Sequence, residues 1–281
     1  MKKKIAWVTD SSIYLPNSLQ THADVYVVPL SIIFHGQIYK DGIDLTPSEL
    51  YDKIDKSEKC PTTSQPPLAT FMNVYEELKK EYDGAIAVHL SSDLSGTCST
   101  SGIAASMVDF PVEVVDSRLL SYPMAHMIMK GMMLAEEGLE QAQIAKILRT
   151  EHKKVSNYIL VGDLQQLYKG GRINGIQRLV GTLLQIHPIL QIKEGAVHIF
   201  GKFRTKRRAL AAILTQLEEA SKIHVIQSIQ ILHADVIEEA EALKERIKKA
   251  YRDVDVLVGP LSSTIGVHGG KGSMVLVWRI E

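Results

Sequence analysis

The chain has little of what marks the more specialised chemistries. Two cysteines, Cys60 and Cys98, in 281 residues cannot make a disulfide framework, and they lack metal-ligand spacing, so no metal site is expected. Lys+Arg and Asp+Glu are 32 each, a formal net charge of zero, which argues against a nucleic-acid surface and against an acidic interaction tail. No apolar window is long enough to span a bilayer. The opening MKKKIAWVTD loses its apolar character within a few residues, too soon for a secretory h-region, and has no cleavage site. The P-loop spacing G-x-x-x-x-G-K-S/T is absent, which excludes an ATPase of that type, and so is the G-x-S-x-G elbow of serine hydrolases. A soluble cytoplasmic protein is the expectation.

What is present points to layered α/β architecture. With 45% hydrophobic residues, the chain can bury two medium α/β cores or one large one. Ala85 to Leu90 is an apolar run behind Asp83-Gly84 and reads as a buried parallel strand. SSDLSGT (91–97) and a helix-compatible run to Ala105 follow. Such a turn lies at the carboxyl edge of a sheet, where open α/β folds bind ligands. Lys4–Thr9, ending in Asp10-Ser11-Ser12, and Val112–Val115, ending in Asp116-Ser117, repeat the theme. Thr46-Pro47-Ser48-Glu49 is a capped helix start. Three prolines make Cys60–Pro67 a stiff loop without regular structure. Helices are predicted over Ala69–Tyr82, Tyr122–Glu137 and Leu139–Val155.

Beyond that point the pattern changes. Strands are predicted at Tyr158–Gly162, Ile226–Leu232, Val254–Val258 and Ser273–Ile280, with helices at Asn174–Leu184, from about Thr205, and at Asp235–Ala250. Ile189–Lys193 and Ala196–Phe203 pair as a hairpin across Glu194-Gly195. The expected fold is α/β with two domains: a parallel three-layer α/β/α domain over 1–155, then an α/β domain with a mixed sheet over 156–281.

Candidate chemistry lies in a few places. Ser95, Thr97, Ser99 and the N–H groups near Gly96 can hold an anionic head group at a helix start, or simply cap the helix. Thr63 offers a second hydroxyl, either for a carboxyl group or for its own turn. Gly170-Gly171-Arg172-Ile173 allows close backbone approach beside a guanidinium, which suits phosphate. Arg204, Lys206, Arg207 and Arg208 crowd a helix N-terminus against its dipole, either for an anionic partner or as a solvated face. His268, in the glycine-rich stretch Ser263–Gly272, is not expected in a packed core; it can be a phosphate donor, a general acid or base, or a turn residue. Five methionines between Met124 and Met133 are either ordinary core or an adaptable wall for a flexible apolar ligand.

Taken together, TDSS (9–12), TTSQPP (62–67), SSDLSGT (91–97), VVDS (114–117), KGGRI (169–173) and IGVHGGKGS (265–273) resemble the DegV family, in order and over essentially the whole chain. The resemblance implies two α/β domains with a buried fatty acid. It also implies the role of the fatty-acid-binding subunit of a bacterial fatty acid kinase, in phospholipid metabolism. A separate ATP-binding subunit, bringing ATP and metal, would phosphorylate the bound carboxylate to an acyl phosphate. Carried over motif by motif, the carboxylate-binding residues are Thr63 and Ser95, with Gly96 and Thr97 beside them. Arg172, Arg204 and His268 would face the kinase and steady the phosphoryl group. The chain itself would carry no cofactor and would not be catalytic alone. One stretch departs from the family pattern: Tyr122-Pro123-Met124-Ala125 stands where glycines are common, which bears on acyl-chain preference. The alternatives are a serine hydrolase or acyltransferase using Ser95 and His268, and a lipid-sensing module with no catalytic outcome.

Overall fold

The computed structural model describes residues 3–57, 59–172 and 186–281; the predicted helix at 174–184 lies outside them. The chain divides into two compact units. One comprises Met1–Leu45, Thr63–His152 and Glu194–Ala196; the other comprises Thr46–Thr62, Lys153–Lys193 and Val197–Glu281.

The first unit is built on a parallel sheet of β1 (Ile5–Asp10), β2 (Val25–Val28), β6 (Gly84–His89) and β7 (Val112–Asp116), in the order β2-β1-β6-β7. All six residues of β6 are buried, which explains why its sequence is a continuous apolar run rather than an alternation. Helices α3 (Leu68–Leu78) and α4 (Thr97–Val108) cover one face, where Phe71, Tyr75, Leu78 and Ala104 pack on Ala6, Val8 and Ala87. Helices α5 (Tyr122–Glu136) and α6 (Gln141–Leu148) also pack on this sheet. Met124 and Met127 of α5 are buried core, whereas Met133 is exposed.

A small sheet of β3 (Ser31–Phe34), β4 (Gln37–Lys40) and β5 (Thr62–Ser64), in the order β4-β3-β5, completes this region. Strand β5 corrects the expectation that the Cys60–Pro67 loop is irregular throughout. Its prolines fall at 61, 66 and 67, outside the strand, so the N–H groups of 62–64 remain able to pair.

The second unit has a mixed sheet of β8 (Val155–Leu160), β9 (His187–Lys193), β10 (Ala196–Phe203), β11 (Ile226–His233), β12 (Asp255–Pro260) and β13 (Met274–Ile280), in the order β10-β9-β8-β13-β11-β12. Strands β11 and β12 pair in parallel, whereas β13 runs antiparallel to both β8 and β11, and β8 antiparallel to β9. The predicted hairpin forms β9–β10, with Glu194 and Gly195 at φ of 50° and 93°, the left-handed pair that a tight two-residue turn requires. Strand β8 begins three residues before its predicted start. Asn157 hid it: a polar residue in a buried strand, its side chain bonds both the N–H (2.7 Å) and the C=O (2.8 Å) of Ile192 on β9.

Helices α8 (Lys206–Ile223) and α9 (Ile237–Ala250) pack their apolar faces on Ile229, Ile231 and Leu276, beside the stacked rings of Tyr158 and Trp278. Thr205 caps α8 by accepting from the Arg208 N–H at 3.2 Å. Thr205→Ala is expected to cost about 1 kcal/mol, read as a lower urea midpoint with an unchanged m-value.

Three further helices belong to this unit: α2 (Pro47–Asp55), α7 (Leu164–Lys169) and α10 (Ser263–Gly269). Helix α2 starts in the predicted capping box of Thr46 and Glu49. Helix α10 makes the glycine-rich stretch around His268 helical up to Gly269. Ser262 accepts from the Ile265 N–H, the run Ser-Thr-Ile-Gly-Val-His-Gly holds no proline, and it stops at Gly270, whose φ is 77°. Among the described residues, no helix is long and apolar enough to cross a membrane.

Candidate functional site

In the first unit, the turn after β6 carries the predicted hydroxyls. Ser95 and Thr97 bond through their oxygens at 2.8 Å. Thr97, the first residue of α4, is fully buried; Ser95 is half-buried and Gly96 exposed. No side chain caps α4, so its first N–H groups are left to other acceptors.

The Thr63 loop is stapled to this turn by a residue not singled out in the sequence. Gln65 donates to Thr100 Oγ1 at 2.6 Å, and its amide oxygen lies against the Cα of Gly96. Thr63 itself is half-buried on β5. Gln65 thus joins the Thr63 segment to Gly96 and Thr100 at the start of α4, some thirty residues away in sequence. Beside it a cleft of about 450 Å³ is lined by Ile33, Ile38, Leu68 and Ile103, with Gln65 and Thr100 among its polar contacts.

Two further contacts fix the turn. Within the first unit, the Ser91 hydroxyl, fully buried, donates to the Gly195 carbonyl at 2.7 Å. Glu194, in the same three-residue stretch of that unit, bonds Arg118 at 2.6 Å and His152 at 3.3 Å. Cys98, next to Thr97, is no nucleophile at neutral pH. Burial pushes its thiol up to about 12, helped by the charges of Asp116 and Asp10.

Behind the turn lies a fully buried polar chain that sequence reasoning missed. Asp10, at the end of β1, accepts from His89 Nδ1 at 3.1 Å and from the Leu90 N–H at 2.9 Å. His89 Nε2 meets Ser101 Oγ at 3.0 Å, and Ser101 Oγ meets the Tyr75 hydroxyl at 2.6 Å. All four side chains are at 0% exposure. The available signal was His89 itself, the one polar residue in the apolar run 85–90.

In the second unit, Arg172 and His268 come together. Arg172 donates to the Gly170 carbonyl at 2.8 Å. A Cβ at Gly170 would overlap His268 Nδ1, which is the close approach that the double glycine allows. His268, half-buried at the end of α10, is held well below the ordinary imidazole value, at about 4. Desolvation is the main cause and the Arg172 charge the second. His268 is a neutral hydrogen-bonding group at pH 7, and the charge of the pair resides on Arg172. Arg204 is exposed between β10 and α8 and makes no hydrogen bond or ion pair among the described residues. Of the basic cluster that follows it, Lys206 pairs with Glu239, while Arg207 and Arg208 face solvent. The described residues contain no cluster of His, Cys, Asp and Glu able to hold a metal.

The model of a family described as uncharacterised proteins of the DegV family matches residues 4–281. A DegV domain-containing protein from Halalkalibacterium halodurans is 36% identical over 99% of both chains, and protein DegV from Bacillus subtilis is 33% identical over 98% of both. Among solved structures, DegV, a fatty acid binding protein from Bacillus subtilis, superposes with a TM-score of 0.89 at 34% identity, covering 99% of this chain and 100% of that one. A DegV family protein from Thermus thermophilus, described for its fatty acid binding, superposes with a TM-score of 0.90 at 32% identity over 99% and 100%.

Proposed function

The chain belongs to the DegV family, and on that premise we propose that it binds a long-chain fatty acid and presents the carboxylate to a separate ATP-binding kinase subunit. The observation that carries this reading is the Gln65 staple, which gathers two hydroxyl-bearing segments at a helix start without a side-chain cap. The fatty acid binding described for the relatives from Bacillus subtilis and Thermus thermophilus supports it.

A carboxylate is costly to remove from water unless it is hydrogen-bonded. Thr63, Ser95 and Thr97, with the N–H groups after Gly96, would supply those bonds without a full positive charge, leaving a carboxylate oxygen free to attack phosphorus. The neighbouring cleft gives the alkyl tail an apolar surface starting at Gln65, and its volume is within the range of ligand clefts. Ile38 and Ile103 stand more than half exposed there, so covering them with methylenes is favourable. In the second unit, Arg172 would supply charge and neutral His268 a hydrogen bond to the phosphoryl group, with Arg204 adding a second cation. The partner would bring ATP and its metal. The protein would work in the cytoplasm, with carboxylate binding assigned to the first unit and kinase recognition to the second.

Binding of oleate to delipidated protein tests the first half. Ser95→Ala and Thr63→Ala are each expected to weaken it about tenfold. Acyl phosphate formation with the cognate kinase subunit and ATP tests the second. Arg172→Ala and His268→Ala are expected to keep the lipid and lose the product. Protein that is purified empty and takes up neither oleate nor palmitate would sink the proposal.

A further inference from the structure

The Asp10–His89–Ser101–Tyr75 chain takes no part in the function proposed above, yet it encloses the turn on which that function depends. Its direction follows from its ends. Burial raises the Tyr75 phenol, so that hydroxyl stays protonated, with a proton to share with Ser101. The Asp10 carboxylate only accepts: it takes the Ser12 N–H and hydroxyl on Oδ1, and the Leu90 N–H and His89 on Oδ2. In a neutral imidazole the His89 proton then sits on Nδ1, and Nε2 accepts from Ser101. Each donor has its acceptor, and the chain reads one way, from Tyr75 through Ser101 and His89 to Asp10.

This chain spans the turn. At one end, Asp10 holds the Leu90 N–H, the first backbone group after β6. At the other, His89 holds Ser101 in the second turn of α4. Thr97 and Ser101 are four residues apart on α4 and both fully buried, so they lie on one helix face, one above the other. Fixing Ser101 fixes the rotation of the first turn of α4, and with it the Thr97 hydroxyl and its partner Ser95. An imidazole suits the position because it donates on one edge and accepts on the other while remaining rigid between strand and helix. The Phe71 ring packs edge-on to it at 5.3 Å between centroids.

We propose that His89 is a positioning residue, braced between Asp10 and Ser101, that aims the Ser95 and Thr97 hydroxyls and thereby sets the preference for a carboxylic acid over a neutral head group. The proposal rests on the fatty-acid reading. A role confined to folding would weaken every ligand alike. A role in aiming weakens the acid selectively, because a long-chain alcohol has no second oxygen to be gripped.

The test compares oleate with oleyl alcohol on delipidated protein, by displacement of a fluorescent lipid. For Ser101→Ala, oleate affinity is expected to fall about tenfold, the size of one or two aimed hydrogen bonds to a carboxylate, while oleyl alcohol changes less than about twofold. Tyr75→Phe, which leaves the ring and its packing in place, shifts the ratio in the same direction by a smaller factor. His89→Gln, whose amide also donates and accepts, keeps more of the acid preference than His89→Leu. If oleate and oleyl alcohol weaken together in Ser101→Ala and Tyr75→Phe, or neither weakens, the positioning role is wrong while the fatty-acid reading stands. If the wild-type protein takes up neither lipid, the fatty-acid reading fails and this inference falls with it.

Discussion

Alanine in place of Asp10 is expected to remove about 3–5 kcal/mol from the unfolding free energy, the cost of deleting one member of a buried polar pair. Asp10 is at 0% exposure and its two oxygens serve four donors: the Leu90 N–H, the Ser12 N–H and hydroxyl, and His89 Nδ1. Removing the carboxylate leaves those donors facing one another in a site closed to water, and each unmet donor carries its own desolvation cost. The loss is too large to be absorbed by relaxation, because His89 is held on its far side by Ser101 and flanked by Phe71. Asp10→Asn keeps the shape and acceptance by one oxygen, so it should lose roughly half as much. Urea titration of the two variants, with m-values compared to wild type, reads the difference. A loss below about 1 kcal/mol for alanine would mean that Asp10 is not the anchor described.

The second large effect is a dependence on acid that belongs to His268. Its folded-state value is about 4, against the ordinary 6.5. Between those two values the unfolded chain binds a proton that the folded chain refuses. Stability is therefore unaffected by this group above about pH 6.5, and it falls as the pH is lowered towards 4. Integrated over that window, the loss is about 3 kcal/mol. His268→Gln cannot titrate, so the gap between variant and wild type should narrow or reverse from pH 7.5 to pH 4.5, whatever the carboxylates do in both. Thermal melts across that range check it. A gap that stays constant with pH would show that the imidazole is not held neutral. Arg172→Ala should recover a part of the loss, since its charge is the second cause of the shift.

The sequence and the structure agree wherever the relevant physics is local. The apolar run before Ser91, the capping box at Thr46 and the Glu194-Gly195 turn each carry their signal within a few residues, and each forms as expected. The family motifs likewise pointed to a parallel sheet and a separate mixed one. Agreement ends where the partner is distant. His89 meets a carboxylate 79 residues away and a hydroxyl 12 residues on, and nothing in the run IAVHL names either. Gln65 stood in a noted motif, but its bond to Thr100 spans 35 residues. Nor does the capped start at Thr46 indicate which unit its helix joins. In the structure Lys271 bonds Asp55 at 2.7 Å and Asp235 at 3.0 Å, placing that helix within the second unit. The helix bearing His268 was obscured by its glycines, whose helix propensity is low, although Ser262 supplies the start signal and Gly270 the stop.

The placement of β13 has a consequence for how the protein comes into being. Residues 274–280 fill the slot between β8 and β11, strands made more than forty residues earlier. Until those seven residues leave the ribosome, the two halves of this sheet each present an unpaired inner edge. Late arrival of a central strand makes folding of this unit slow and dependent on distant contacts. The parallel sheet of the other unit, whose four strands are all made by residue 116, has no such wait.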